Sequence, residues 1–240
     1  MKIIKVKDYE AMSDKAAEIM HNVVANKPNA VLGLATGTTP LGLYKRMIED
    51  CKNGTSYKDI RTVNLDEYLG LDVNSDQSYV YFMRHNLFDH IDIDLKNTNI
   101  EDGKAKDPEA ECARYNKLLE EMPQDIQLLG LGSDGHIGFS EPGTPFGSGV
   151  HIADLAESTI KDNSRLFANI NDVPRQAMTQ GIKNIMNAKS ILMIASGKNK
   201  AKAVNAMVNG PVTEDVPASV LQLHPDCTLI VDEEAASLLK

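Results

Sequence analysis

Asp134 and His136 stand two residues apart, with Glu141 five residues further on, in the run Gly132-Ser133-Asp134-Gly135-His136-Ile137-Gly138-Phe139-Ser140-Glu141-Pro142. An unperturbed imidazole titrates at about pH 6.5, so His136 can take and return a proton near neutrality. Carboxylates beside such a ring can orient it and stabilise its charged form. The run follows Ile126-Gln127-Leu128-Leu129-Gly130-Leu131, an apolar stretch that reads as a buried strand. In open α/β sheets ligands bind just beyond strand ends, and small residues there let backbone approach closely. Asp66 is a second candidate, placed where the strand-like Thr62-Val63-Asn64-Leu65 ends. A carboxylate whose pKa is raised by partial burial suits general-base work. Taken alone, Asp66 or Glu67 capping the next turn is the plainer reading.

Thr36-Gly37-Thr38-Thr39 precedes Pro40, a residue suited to a first helical turn. Backbone amides, hydroxyls and a helix N-terminus would all favour a phosphate there. An ordinary threonine-rich helix cap explains the same segment equally well. The spacing is not that of a Walker loop. Arg165 and Lys200 could supply the positive charge a phosphate needs, though each alone reads as a solvated surface cation. The chain has no nucleophile-elbow sequence and no GxGxxG fingerprint. It also has no Cys/His zinc spacing and no carboxylate/His metal cluster by sequence. The expected chemistry is acid–base, without cofactor or metal.

Strand-like and helical patterns alternate along the chain and must position these residues. Strands are expected near the N-terminus and at 29–34, 62–65, 126–131, 190–195 and 228–231. Ser13 is positioned to cap a first helix carrying Ala16, Ile19, Met20, Val23 and Val24 on one face. Asp107-Pro108 opens another helix, and Pro174 opens one through Ala177, Met178, Ile182, Ile185 and Met186. Short apolar strands between amphipathic helices mean a mostly parallel sheet covered on both faces. The expected architecture is one α/β domain over residues 1–240, a doubly wound, Rossmann-like sheet without the dinucleotide fingerprint. In such a sheet the segments 36–39, 66–67, 132–141 and 196–200 all follow strands and converge on one crevice. Pro142 to Gly149 reads as an active-site loop.

The chain has 240 residues, 42% apolar and 25% charged, and a formal net charge of −9. Without a lysine/arginine cluster, that balance argues against nucleic acid as a partner. It does not argue against a phosphorylated metabolite, because local cations and amides can focus positive potential. Cys51, Cys112 and Cys227 read as small core residues in a reducing compartment. No stretch reaches the roughly 20 apolar residues that span a bilayer. With no signal-peptide pattern either, a cytoplasmic protein without membrane partners is expected.

Leu65-Asp66-Glu67-Tyr68-Leu69-Gly70-Leu71, the run from Gly130 to Pro142, and Leu221-Gln222-Leu223-His224-Pro225 resemble the signatures of glucosamine-6-phosphate deaminases. Val31 to Pro40 and Asn163-Ser164-Arg165 also fit, in the family's order, so the resemblance covers most of the chain. It implies conversion of glucosamine 6-phosphate and water into fructose 6-phosphate and ammonia, a hydrolytic deamination without metal or organic cofactor. It implies that His136 moves the proton that opens the pyranose ring, with Asp134 and Glu141 holding and tuning it. Asp66 would abstract the C2 proton of the open aldehyde and reprotonate at C1. Thr36, Gly37, Thr38, Thr39, Arg165 and Lys200 match positions that hold the sugar phosphate.

Thr38 stands where many members have a second glycine, and Ser140 where an asparagine is common. Longer, hexameric members carry basic residues after the acid–base loop that bind an N-acetylated sugar-phosphate activator. This chain has Gly149-Val150-His151-Ile152-Ala153 there. A non-allosteric, monomeric enzyme is therefore expected, with a mobile lid near residues 150–185. Two rivals remain at this stage, a related 6-phosphogluconolactonase and a catalytically silent sugar-phosphate sensor.

Overall fold

The computed structural model describes residues 1–164, 167 and 169–239. Within them run ten strands: β1 (Lys2–Val6), β2 (Val31–Leu34), β3 (Arg61–Asn64), β4 (Asp66–Tyr68), β5 (Thr98–Asn99), β6 (Ile126–Leu129), β7 (His151–Asp154), β8 (Gln176–Thr179), β9 (Ile191–Ala195) and β10 (Cys227–Asp232). Seven form one sheet in the order β1-β10-β9-β6-β2-β3-β5, with every pairing parallel. β2, β6 and β9 are buried along their whole length, so their sequences are continuous rather than alternating in polarity.

The two faces of this sheet are separable by residue parity. Leu32 and Leu34 belong to the large apolar cluster that includes Met12, Met20, Leu43, Tyr44 and Met47. Val31 and Val63 point the other way, onto Tyr115, Leu119 and Met122. The first set comes from α1 (Tyr9–Asn26) and α2 (Leu41–Lys52), the second from α4 (Pro108–Glu121) and its C-terminal end. Helices on both faces bear out the doubly wound arrangement.

Local chemistry sets the helix starts, and one differs from expectation. Asp8 caps α1, accepting from the Ala11 amide at 2.9 Å. Ser13 lies a full turn inside the helix instead, buried, with its hydroxyl donating back to the Tyr9 carbonyl at 2.9 Å. Both residues are good caps, but the side chain with the first open amide in reach prevails. Asp107 caps α4 and Pro108 opens it, as the Asp-Pro pair predicts.

A second sheet was not legible as such. β4, β8 and β7 pair antiparallel in the order β4-β8-β7, with Asp66 opposite Thr179 and His151 also opposite Thr179. The expected helix from Pro174 is therefore two elements, the strand β8 and the short helix α6 (Ile182–Met186). The apolar spacing of 177, 178, 182, 185 and 186 fits a helical period, yet cross-strand pairing on both sides claims residues 176–179. The remaining helices are α3 (Tyr79–Asn86), α5 (Glu157–Asn163) and α7 (Ala201–Asn209). Cys112 and Cys227 are buried and Cys51 is half-buried, all three as free thiols. Among the described residues no helix is long and apolar enough to cross a membrane.

Candidate active site

β9, β6, β2 and β3 are consecutive neighbours in the large sheet and run parallel. Their C-terminal ends lie side by side, and the loops that leave them are those carrying the candidate residues. Chain order runs outward from β2 through β3 to β5 on one side, and from β6 through β9 to β10 on the other. The reversal between β2 and β6 opens the crevice where such sheets bind ligands. The threonine loop and the acid–base loop flank that crevice.

In the acid–base loop, His136 Nδ1 lies 2.8 Å from Asp134 Oδ1 and 3.4 Å from Glu141 Oε2. These are ion-pair contacts without the alignment of a linear hydrogen bond. Gly132 is required here for space: a Cβ at that position would meet the imidazole at 2.4 Å. Burial disfavours a charged ring, but the two carboxylates outweigh it and lift His136 to about 9. Asp134, paired with the ring, is drawn down to about 2. Glu141 is also lowered: its burial is outweighed by His136 and by the Thr159 hydroxyl, which donates to it at 2.6 Å.

Asp66 opens β4 directly after β3. The Leu65 amide donates to the Leu34 carbonyl at 3.1 Å, and the Gln180 amide donates to the Leu65 carbonyl at 2.7 Å. Backbone from both sheets thus fixes the base of the Asp66 side chain, which is 7% exposed. Burial first, then the charge of Glu67, pushes its carboxyl up to about 8, with His136 pulling the other way. Glu67 does the capping that the sequence left open between the two. Its carboxylate accepts from the Tyr79 amide at 3.0 Å and the Val80 amide at 3.1 Å, at the start of α3. Asp66 is left free of that work.

The threonine loop follows β2. No side chain caps α2, so Thr36 to Thr39 do not serve as an ordinary cap box. Gly37 has φ of 91° and Thr38 is exposed. Lys200 ends a turn after β9 and is half-buried. Arg165 lies outside the described residues. Asp66, Asp134, His136, Glu141, the threonine loop and Lys200 therefore follow the four central strands, as expected.

A family model described as glucosamine-6-phosphate isomerases/6-phosphogluconolactonase matches residues 7–230. The chain belongs to that family. A glucosamine-6-phosphate deaminase of Geobacillus sp. (strain WCH70) is 52% identical over 241 aligned positions, covering all of this chain and 96% of the relative. The solved structure of a monomeric glucosamine-6-phosphate deaminase superposes with a TM-score of 0.98 at 47% identity, covering 99% of this chain and 100% of that one. A Trypanosoma brucei 6-phosphogluconolactonase shares the fold, with a TM-score of 0.82 at 20% identity over 100% of this chain and 98% of that one.

Family membership does not by itself name the groups around the site, and several were missed in the sequence. Tyr79 lies beside the Thr36 side chain and packs on Tyr68, ring centroids 4.9 Å apart, and burial pushes its hydroxyl's pKa well up. Its ring stacks on Phe139 of the acid–base loop, centroids 6.3 Å apart and planes 10° from parallel. Tyr79 therefore bridges the threonine loop and the acid–base loop. Nothing in its spacing signals this, because Tyr79 stands 13 residues beyond Asp66 with no periodic pattern joining the two. His224, in one of the signature runs, is a structural residue buried against the Ala188 carbonyl at 2.9 Å.

A metal-capable set was also missed. Donor atoms of Asp134, His136 and Glu141 all lie within 4.8 Å of one another. The loop geometry makes the set, since linear spacing alone does not foretell that the chain folds Glu141 back. The same atoms set the imidazole between two carboxylates, at 2.8 and 3.4 Å.

Proposed function

We propose that the protein converts glucosamine 6-phosphate and water into fructose 6-phosphate and ammonia. The observation that carries this reading is the buried carboxyl of Asp66, just after β3, on a crevice that His136 and its two carboxylate partners line from the end of β6; burial lifts the Asp66 carboxyl to about 8. The deaminase names of full-length relatives near 50% identity support it. Likeness to the lactonases is a likeness of fold.

In this reading the threonine loop, Arg165 and Lys200 hold the phosphate, and His136 relays the proton that opens the pyranose ring. Asp66 then removes the C2 proton of the aldehyde, giving an enolamine, and returns a proton to C1. The resulting C2 imine adds water and expels ammonia, leaving the C2 ketone. The scheme is thus an aldose–ketose isomerisation joined to deamination, for which the expected class label of hydrolase is too narrow. A base near pKa 8 is suited to a weakly acidic C–H, and general-base catalysis of this kind contributes about 10²–10⁴-fold. No step in this scheme needs a metal or organic cofactor.

The scheme is supported by how Glu141 is held. It contacts His136 and accepts from the Thr159 hydroxyl and, at 3.4 Å, the Ala156 amide at the start of α5. We infer that β7, β8 and α6, which are paired in a sheet or buried in the core, take no part in the lid movement expected over residues 150–185, a span that also holds residues outside those described. A cavity of about 240 Å³ behind Glu141 is lined by Thr144, Ser148, His151 and Asp154 among others, without lysine or arginine. That lining suits an enzyme lacking an anionic activator, and similarity to a monomeric deaminase supports a monomer.

Turnover of C2-deuterated glucosamine 6-phosphate tests the role of Asp66. The label should move to C1 or to water, and Asp66→Asn should suppress both. Label transfer at the normal rate in that variant would sink the assignment.

A further inference from the structure

We propose that Asp232, at the end of β10, is a positioning residue for phosphate binding. It acts from a fifth strand end, outside the four that carry the candidate groups, and the inference rests on the reading of Lys200 as a phosphate ligand. Val231 pairs with Ala195, so Asp232 sits beside the point where β9 gives way to Ser196. Its carboxylate is 5% exposed. It accepts from the Ser196 hydroxyl at 2.5 Å, from the Gly197 amide at 3.1 and 3.0 Å, and from the Ala235 amide at 2.7 Å.

Those bonds fix a turn that would otherwise be poorly determined. Gly197 has φ of 91°, a conformation that L side chains rarely adopt. Immediately after it the Lys200 amide donates to the Gly197 carbonyl at 3.0 Å. A short relay thus leads from the Asp232 carboxylate through the Gly197 peptide to the backbone of Lys200. Preorganisation of this kind lowers the entropic cost of binding, so loss of the anchor is felt first in affinity. The chemical step, carried by groups after β3 and β6, lies outside the relay.

Asn at 232 preserves the shape but leaves one acceptor oxygen for three donors. Asp232→Asn should raise KM for glucosamine 6-phosphate about tenfold or more, and weaken competitive inhibition by inorganic phosphate to the same degree. Its kcat should stay within about threefold and its pH profile should not move. Ser196→Ala, which leaves the buried carboxylate in place, should give the same pattern at about threefold. A folded Asp232→Asn enzyme with normal KM, or one in which only melting temperature or kcat falls, overturns the proposal. Where that variant fails to fold, Ser196→Ala decides by the same criteria. Lys200→Ala separates the two levels: a normal KM there refutes the phosphate reading itself. A raised KM there with normal values in the Asp232 and Ser196 variants refutes only the relay.

Discussion

Asp66→Asn should make the protein more stable while destroying its proposed chemistry, and the gain should depend on pH. Burial lifts this carboxyl from an ordinary 3.8 to about 8. The folded state therefore holds a proton that the unfolded chain releases above about pH 4. Stability must fall as pH rises from the unfolded value towards the folded one, and level off beyond it. The size of the displacement sets the loss attributable to Asp66 at about 2 kcal/mol at pH 5, about 4 at pH 7 and up to about 6 above pH 8. Asparagine fills nearly the same volume and carries no charge, so the variant escapes this loss. His136, raised to about 9, also costs stability as pH climbs from about 6.5, but that contribution is shared by both proteins and largely cancels in the comparison. Urea unfolding of wild type and Asp66→Asn at pH 5, 7 and 8.5 should show a stability gap that widens with pH. A gap of constant size, or a variant less stable at pH 8.5, would refute the assignment of a raised, neutral Asp66.

The same displacement predicts that kcat/KM rises with pH on a limb near 8 as the base ionises, and a profile flat from pH 6 to 9 would count against it. Glu141→Gln should lower the His136 pKa from about 9, read by NMR titration of the ring, because one of its two anionic partners is gone; an unchanged value would mean Asp134 alone holds the ring. Tyr79→Phe keeps the stack on Phe139 but removes the hydroxyl beside Thr36, so KM should rise several-fold with the fold intact. Equal KM in that variant would leave the tyrosine as packing only. Added N-acetylglucosamine 6-phosphate should leave the substrate curve hyperbolic, and a sigmoidal curve made hyperbolic by it would overturn the activator-free reading.

Strands reveal themselves here where burial is complete. Ile126–Leu129 and Ile191–Ala195 are buried throughout because helices cover both faces, Gln127 being the one polar residue in them, and their ends locate the crevice directly. Asp134 and His136 were legible for the same reason, standing just beyond such an end. β8 was not legible, since four residues with two adjacent apolar positions satisfy helix and strand templates alike, and only pairing with β4 and β7 decides. Asp66 could be noticed but not separated from Glu67, because which carboxylate turns to the α3 amides depends on where α3 returns in space. Tyr79 and Asp232 meet partners 43 and 36 residues away in sequence, at Thr36 and Ser196. No local pattern records contacts of that range.

The most direct test uses purified, metal-stripped protein given glucosamine 6-phosphate, with ammonia and fructose 6-phosphate measured in parallel. Equal appearance of the two products, undiminished by a chelator, is the predicted result. Absence of ammonia from folded protein that binds the sugar phosphate, with 6-phosphogluconolactone hydrolysed instead, would contradict it.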